Sequence, residues 1–109
     1  MTRFYTDYWT CYTLVFATDQ HLACAVFGDE QVFARGTTRL PAMSALVEAT
    51  PQAPYVFDLR SASSRARAAE FAAAIARGDP RVAGYARTQV GSYDVYAARA
   101  APERGSVTP

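Results

Sequence analysis

Lysine and asparagine are absent from this 109-residue chain, histidine occurs once, at His21, and cysteine twice, at Cys11 and Cys24. The missing Lys excludes a phosphate loop of the Gly-Lys-Ser/Thr kind, whose Lys reaches the nucleotide phosphates, and no Gly-x-Gly-x-x-Gly turn occurs either. One His beside two separated Cys falls short of the ligand set of a zinc site. No apolar run approaches the roughly 18 residues of a membrane span. The opening residues, Met1 to Tyr8, lack the charged start and apolar middle of a secretory signal. These absences set an expectation of a soluble, cytoplasmic protein with no metal, no cofactor and no membrane partner.

Charge is scarce, at 19% of residues, and segregated: residues 1–58 hold three Arg against six acids, residues 59–88 six Arg against two. The pI of about 7.8 lies below the value near 9 that marks nucleic-acid-binding domains. DNA or RNA binding through Arg60, Arg65, Arg67, Arg77, Arg81 and Arg87 is therefore a disfavoured alternative. All-Arg basicity with abundant Ala points to a GC-rich coding sequence, bacterial or phage.

Hydrophobic residues make up 50% of the chain, a composition far from that of disordered segments. Area scaling for a chain of this mass lets about two-thirds of its surface be buried, enough for one self-sufficient core. A single domain over residues 1–100 and a disordered tail over 101–109 are expected.

From Phe4 to Thr18 the chain is rich in Tyr, Thr, Trp, Val and Phe, residues suited to a pleated surface, which predicts a long strand. Strands at Leu22–Phe27 and Val32–Arg35 follow after polar turns and give an antiparallel meander. Pro41 opens a short helix to Ala49 with Met43, Leu46 and Val47 as its apolar face. Tyr55–Leu59 reads as a strand. Ser61 to Ser64 offer N-caps for a helix over Arg65–Arg77, whose Ala68, Phe71, Ala72 and Ile75 share one face, and Gly78 closes it. Val82–Val90 and Tyr93–Arg99 flank Gly91-Ser92, a two-residue loop suited to a type II′ hairpin. That loop pairs Val90 with Tyr93, Gln89 with Asp94, Arg87 with Tyr96 and Tyr85 with Ala98. The expected fold is α+β, a predominantly antiparallel sheet in the order β-β-β-α-β-α-β-β with two helices on one face.

In that meander Cys11 and Cys24 fall four residues apart along their strands, roughly 13 Å, beyond the reach of a disulfide. Two reduced, buried thiols are expected. His21 sits in a turn and offers no clear base for a nucleophilic Cys. Asp58, at the carboxyl end of an apolar strand, reads as a capping carboxylate or a site acid.

The three-strand, helix, strand, helix, strand order, together with Val56-Phe57-Asp58-Leu59, Ala68, Phe71, Val82 and Gly84, resembles the later part of the GNAT-like acetyltransferase fold over about residues 12–99. The resemblance implies binding of acetyl-CoA at Arg35-Gly36-Thr37-Thr38-Arg39-Leu40. That segment holds one Gly, and Pro41 removes a backbone donor from the helix start.

Aromatics carry the remaining signal, with Tyr5, Tyr8, Trp9 and Tyr12 near the start. In the hairpin, Tyr85, Arg87, Gln89, Asp94 and Tyr96 form the expected outward face; Val82, Ala86, Val90, Tyr93, Val95 and Ala97 form the inward one. Tyr, Trp and Arg dominate interface hot spots. The leading expectation is a small non-catalytic protein-binding domain that uses Tyr85, Arg87, Gln89, Asp94, Tyr96, Tyr5 and Trp9. Its size and composition suit an inhibitor of a host or toxin protein, of the anti-CRISPR, anti-defence or immunity type. A homodimer through the same face is the other use of such a surface.

Overall fold

The computed structural model describes residues 2–17, 22–28, 31–34, 36 and 41–98. The expected turn at 19–21, most of the segment 35–40 and the expected tail at 101–109 lie outside the described residues. The order is β1 (Thr2–Thr6), α1 (Tyr8–Ala17), β2 (Leu22–Val26), α2 (Pro41–Glu48), β3 (Tyr55–Asp58), α3 (Ala62–Ala76), a 3₁₀ turn at Pro80–Val82, β4 (Tyr85–Val90) and β5 (Tyr93–Ala98). The five strands form one sheet in the order β2-β1-β3-β5-β4. β1 runs parallel to both β2 and β3, while β3–β5 and β5–β4 are antiparallel. The fold is α+β, with a mixed sheet and three helices in place of the expected antiparallel meander and two.

The difference begins at Asp7. Its Oδ1 accepts the Thr10 N–H at 2.8 Å and its Oδ2 the Thr10 hydroxyl at 2.9 Å, which caps α1 and ends β1 after five residues. The β-favouring residues beyond it are helical because helix and strand propensities differ by only tenths of a kcal/mol per residue, and packing overrides them. Once 8–17 is a helix, it becomes the crossover that a parallel β1–β2 pair requires.

The disulfide expectation is overturned for the same reason. α1 lies across β2, so Cys11 sits over Cys24 with a Cα–Cα distance of 5.7 Å, and the two are bonded. The third expected strand, Val32–Arg35, is also absent: residues 32–34 form a turn, with Ala34 N–H on the Gln31 carbonyl and Gly28 N–H on that of Ala34. Gly36 locks this segment onto β2, its N–H 2.8 Å from the Val26 carbonyl. A Cβ there would lie 2.3 Å from the Phe27 carbonyl oxygen.

Alternate residues of each strand feed two layers. On one face Phe4, Cys24 and Val26 meet Cys11 and Leu14 of α1. On the other, Ala23 and Ala25 meet Val47 of α2, while Phe57, Tyr85 and Tyr96 meet Ala68 and Phe71 of α3. Phe71 is the hub, with ring centroids 4.7 Å from Tyr55, 4.7 Å from Tyr96, 5.5 Å from Tyr85 and 5.8 Å from Phe57. α3 begins at the Ser61 N-cap, which accepts the Ser64 N–H, and ends before Gly78 at φ +73°. Its buried face is Ser64, Ala68, Phe71 and Ala74, turned from the expected stripe so that Ala74 points inward and Ala72 outward.

Candidate functional site

The hairpin has the pairing expected of Gly91-Ser92: Tyr85 opposite Ala98, Arg87 opposite Tyr96, Gln89 opposite Asp94 and Val90 opposite Tyr93. Gly91 takes φ +58° and Ser92 does not take a positive φ, as a type II′ turn requires. The faces, however, are reversed. Tyr85, Asp94 and Tyr96 are buried at 8%, 6% and 4% exposure, because their alternation continues that of Tyr55 and Phe57 beneath α3. Tyr85 donates its hydroxyl to the Ala53 carbonyl at 2.8 Å. Asp94 lies 2.9 Å from Nε of the exposed Arg87, as an ion pair without hydrogen-bond alignment.

Of the seven residues expected to bind a partner, Tyr85, Asp94 and Tyr96 are therefore core. Tyr5 is half-buried, its ring stacked on Tyr55 with centroids 4.6 Å apart. Arg87 and Gln89 stand exposed on the edge strand, and Trp9 is 77% exposed on α1. The structure does not gather the seven on one surface.

The surface that is open belongs to the set expected to point inward. Ala86, Thr88 and Val90 of β4 and Tyr93, Val95 and Ala97 of β5 occupy the face opposite α3. There α1 packs chiefly on β1 and β2. Thr88 and Val90 are exposed, Val90 at 58%, and the other four are half-buried. Every one of the six is uncharged. β4 is also the sheet edge, its outer backbone groups having no strand partner among the described residues. Composition concealed this surface because small and β-branched residues read as core.

At the carboxyl ends of the parallel strands, Asp7 and Asp58 approach through Ser64. The Ser64 hydroxyl donates to Asp7 Oδ2 at 3.0 Å and accepts the Asp58 N–H at 3.1 Å. Asp58 holds Arg60 in a fork, Oδ1 to Nε at 2.9 Å and Oδ2 to Nη2 at 3.1 Å, and Arg60 reaches on to the Tyr93 hydroxyl at 3.0 Å. The Arg60 hydrogen bond, outweighing partial burial, holds the Asp58 carboxyl below the usual carboxylate range. A carboxylate pinned in this way is a poor proton donor near neutral pH. It binds the β3–α3 turn to β5.

The basic segment is internally matched. Arg60 pairs with Asp58, Arg67 with Glu70, Arg77 and Arg81 with Asp79, and Arg87 with Asp94; Arg65 donates to the Leu59 carbonyl. Those pairings use much of the field that a phosphate backbone would need. Among the described residues no group of three His, Cys, Asp or Glu is placed to hold a metal ion, and no helix is long and apolar enough to cross a membrane.

The antiparallel three-strand start on which the acetyltransferase resemblance rested is replaced by parallel β1 and β2. No protein-family model, curated protein or solved structure matches the chain.

Proposed function

We propose that this is a non-catalytic protein-binding domain that docks an apolar helix of a partner protein on the open face of β3, β5 and β4. The observation that supports it is the helix layer itself. The α3 face of the sheet carries two helices, and the β1–β2 part of the other face carries α1. Among the described residues the hairpin part of that face carries none. Ala86, Val95 and Ala97 there are as small and flat as Ala23 and Ala25 beneath α2, the kind of strand surface on which a helix beds closely. Apart from the Arg60–Asp58 pair at Tyr93, the patch is uncharged and selects an apolar stripe. The inhibitor class, anti-defence or immunity-type, remains part of this reading, as does the cytoplasmic compartment. The Cys11–Cys24 bond weighs against that compartment, because structural disulfides persist mainly in oxidising ones.

A photo-crosslinking residue at Thr88 or Val90, introduced in the source cell, tests the reading. The expected product is one foreign protein attached through the apolar stripe of a helix. With that partner purified, Val90→Asp should weaken binding about tenfold or more, while Leu46→Asp on α2 leaves it unchanged. Crosslinks only between copies of the chain would establish a homodimer and overturn the proposal, as would no crosslink at all. Alkylation of thiols in the same cells, read by intact mass, settles the compartment: two modified thiols fit the cytoplasm, none an oxidising compartment.

A further inference from the structure

On the opposite side of the sheet, beside the carboxyl end of α2, lie two adjoining hollows of about 190 and 300 Å³. Both are lined by Tyr5, Phe33 and Tyr55. The first adds Phe27 and Glu48, the second Gln52, Arg81 and Tyr85. Their combined size falls within that of small-molecule sites, as does their pattern of ring walls with a few polar groups. Neither shares a residue with the open face proposed to dock a protein.

Tyr55 is the centre of the walls. Its ring stacks on Tyr5, lies against Phe27 at 6.5 Å in parallel and meets Phe33 edge-on at 6.3 Å. The Arg81 guanidinium covers the other ring of the rim, 4.0 Å from the Phe33 centroid, and is already paired with Asp79 at 2.7 Å. With the Arg81 cation so matched, the described lining has little left for a multiply charged ligand. The Tyr85 hydroxyl is spent on the Ala53 carbonyl and the Gln52 Nε2–H on that of Ala83. The Tyr55 hydroxyl, by contrast, donates to no acceptor among the described residues, although its ring sits amid six others. Burial, with the neighbouring Tyr5 and Tyr85 phenols, raises its pKa well above 10, so it stays a donor at every physiological pH.

We infer that this cleft binds a small planar aromatic molecule bearing one acceptor oxygen, a carbonyl or a single carboxylate, which takes the Tyr55 hydroxyl proton while its ring lies among Tyr5, Phe33 and Tyr55. Ring stacking supplies the shape selection, since offset and edge-to-face contacts need a flat partner. The free phenol supplies the polar anchor.

Indole-3-carboxylate is a suitable probe, with cyclohexanecarboxylate as a partner of equal charge and no flat ring. In amide NMR titrations of the full chain, the first should give saturable shifts at Tyr5, Phe33, Gln52 and Tyr55 at concentrations of about 1 mM or below. Cyclohexanecarboxylate should bind at least fivefold more weakly. Tyr55→Phe keeps the ring and removes only the donor, and its free spectrum shows directly that the fold is intact. It should weaken indole-3-carboxylate about fivefold, the equivalent of one neutral hydrogen bond. Absence of saturable shifts, equal binding of the two probes, unchanged affinity in Tyr55→Phe, or shifts confined to β4 and β5 would each overturn the assignment.

Discussion

The two faces of one sheet are built from alternate residues of the same strands, yet they meet opposite fates. Beneath α3 lies an aromatic layer in which Phe57 and Phe71 are wholly buried and Tyr85 and Tyr96 nearly so. The other face is sealed by α1 and the Cys11–Cys24 bond at β1 and β2 and then left open over the hairpin. A long amphipathic ring can fill the space between sheet and helix and still carry its hydroxyl to a rim or a carbonyl, as Tyr85 does. Small side chains take either fate: Ala23 and Ala25 are buried beneath α2, whereas Ala86, Val95 and Ala97 line the part of the other face that no helix covers among the described residues. Exposure here follows where the helices lie more closely than it follows polarity.

Removing the hub of the aromatic layer should have the largest effect. Phe71→Ala deletes a fully buried ring with five aromatic neighbours and should cost about 3–5 kcal/mol in urea unfolding. If it costs no more than a surface change, the two faces do not differ as described. On the other face, Cys11→Ala or reduction of the bond opens a loop with ends 13 residues apart. A loss of about 2–4 kcal/mol should follow, read as a lower Tm under reducing conditions.

Arg87→Ala strips the buried Asp94 of its counter-charge and should cost about 1–3 kcal/mol, less than the worst cases because Arg87 is half exposed. Replacing both by Leu should recover most of that loss, and a double-mutant cycle measures the coupling. Alkali offers a gentler test. Burial pushes the Tyr85 phenol up to about 12 and raises those of Tyr55 and Tyr96. A group raised in the folded state stabilises the fold fully below its unfolded value near 10 and loses that contribution as pH climbs through the folded value. Tyrosinate absorbance should therefore show three late-titrating phenols, with stability falling between about pH 10 and 12, and Tyr85→Phe should remove one. Smallest of all, Val90→Asp on the open face should change stability by no more than about 0.5 kcal/mol.

The parts legible without a structure are those ruled by neighbours in the chain. Gly91-Ser92 determines the hairpin register because a two-residue loop leaves one pairing, and Ser61 and Gly78 bracket α3 because they satisfy its ends locally. Residues 8–17 misled because Tyr, Thr, Trp and Val favour strands only where neighbouring strands exist to receive them. The clue that was present is Asp7, an N-cap residue three positions before Thr10, whose amide and hydroxyl it binds. The open surface is not legible in the hairpin because residue types common at interfaces also suit a core: Asp94 is buried beside Arg87 and the tyrosines through their rings. Of the expected binding set, Arg87, Gln89 and Trp9 are exposed, on two separate elements.

Caps, turn type, register and the division of each strand into two residue sets were thus determined by the sequence alone, since each rests on contacts within a few positions. Which set faces the helices, whether β2 runs parallel to β1, and whether Cys11 meets Cys24 were decided only by the tertiary structure. Those outcomes depend on where α1 and α3 come to rest, and a helix position is set by filling volume across residues far apart in the chain.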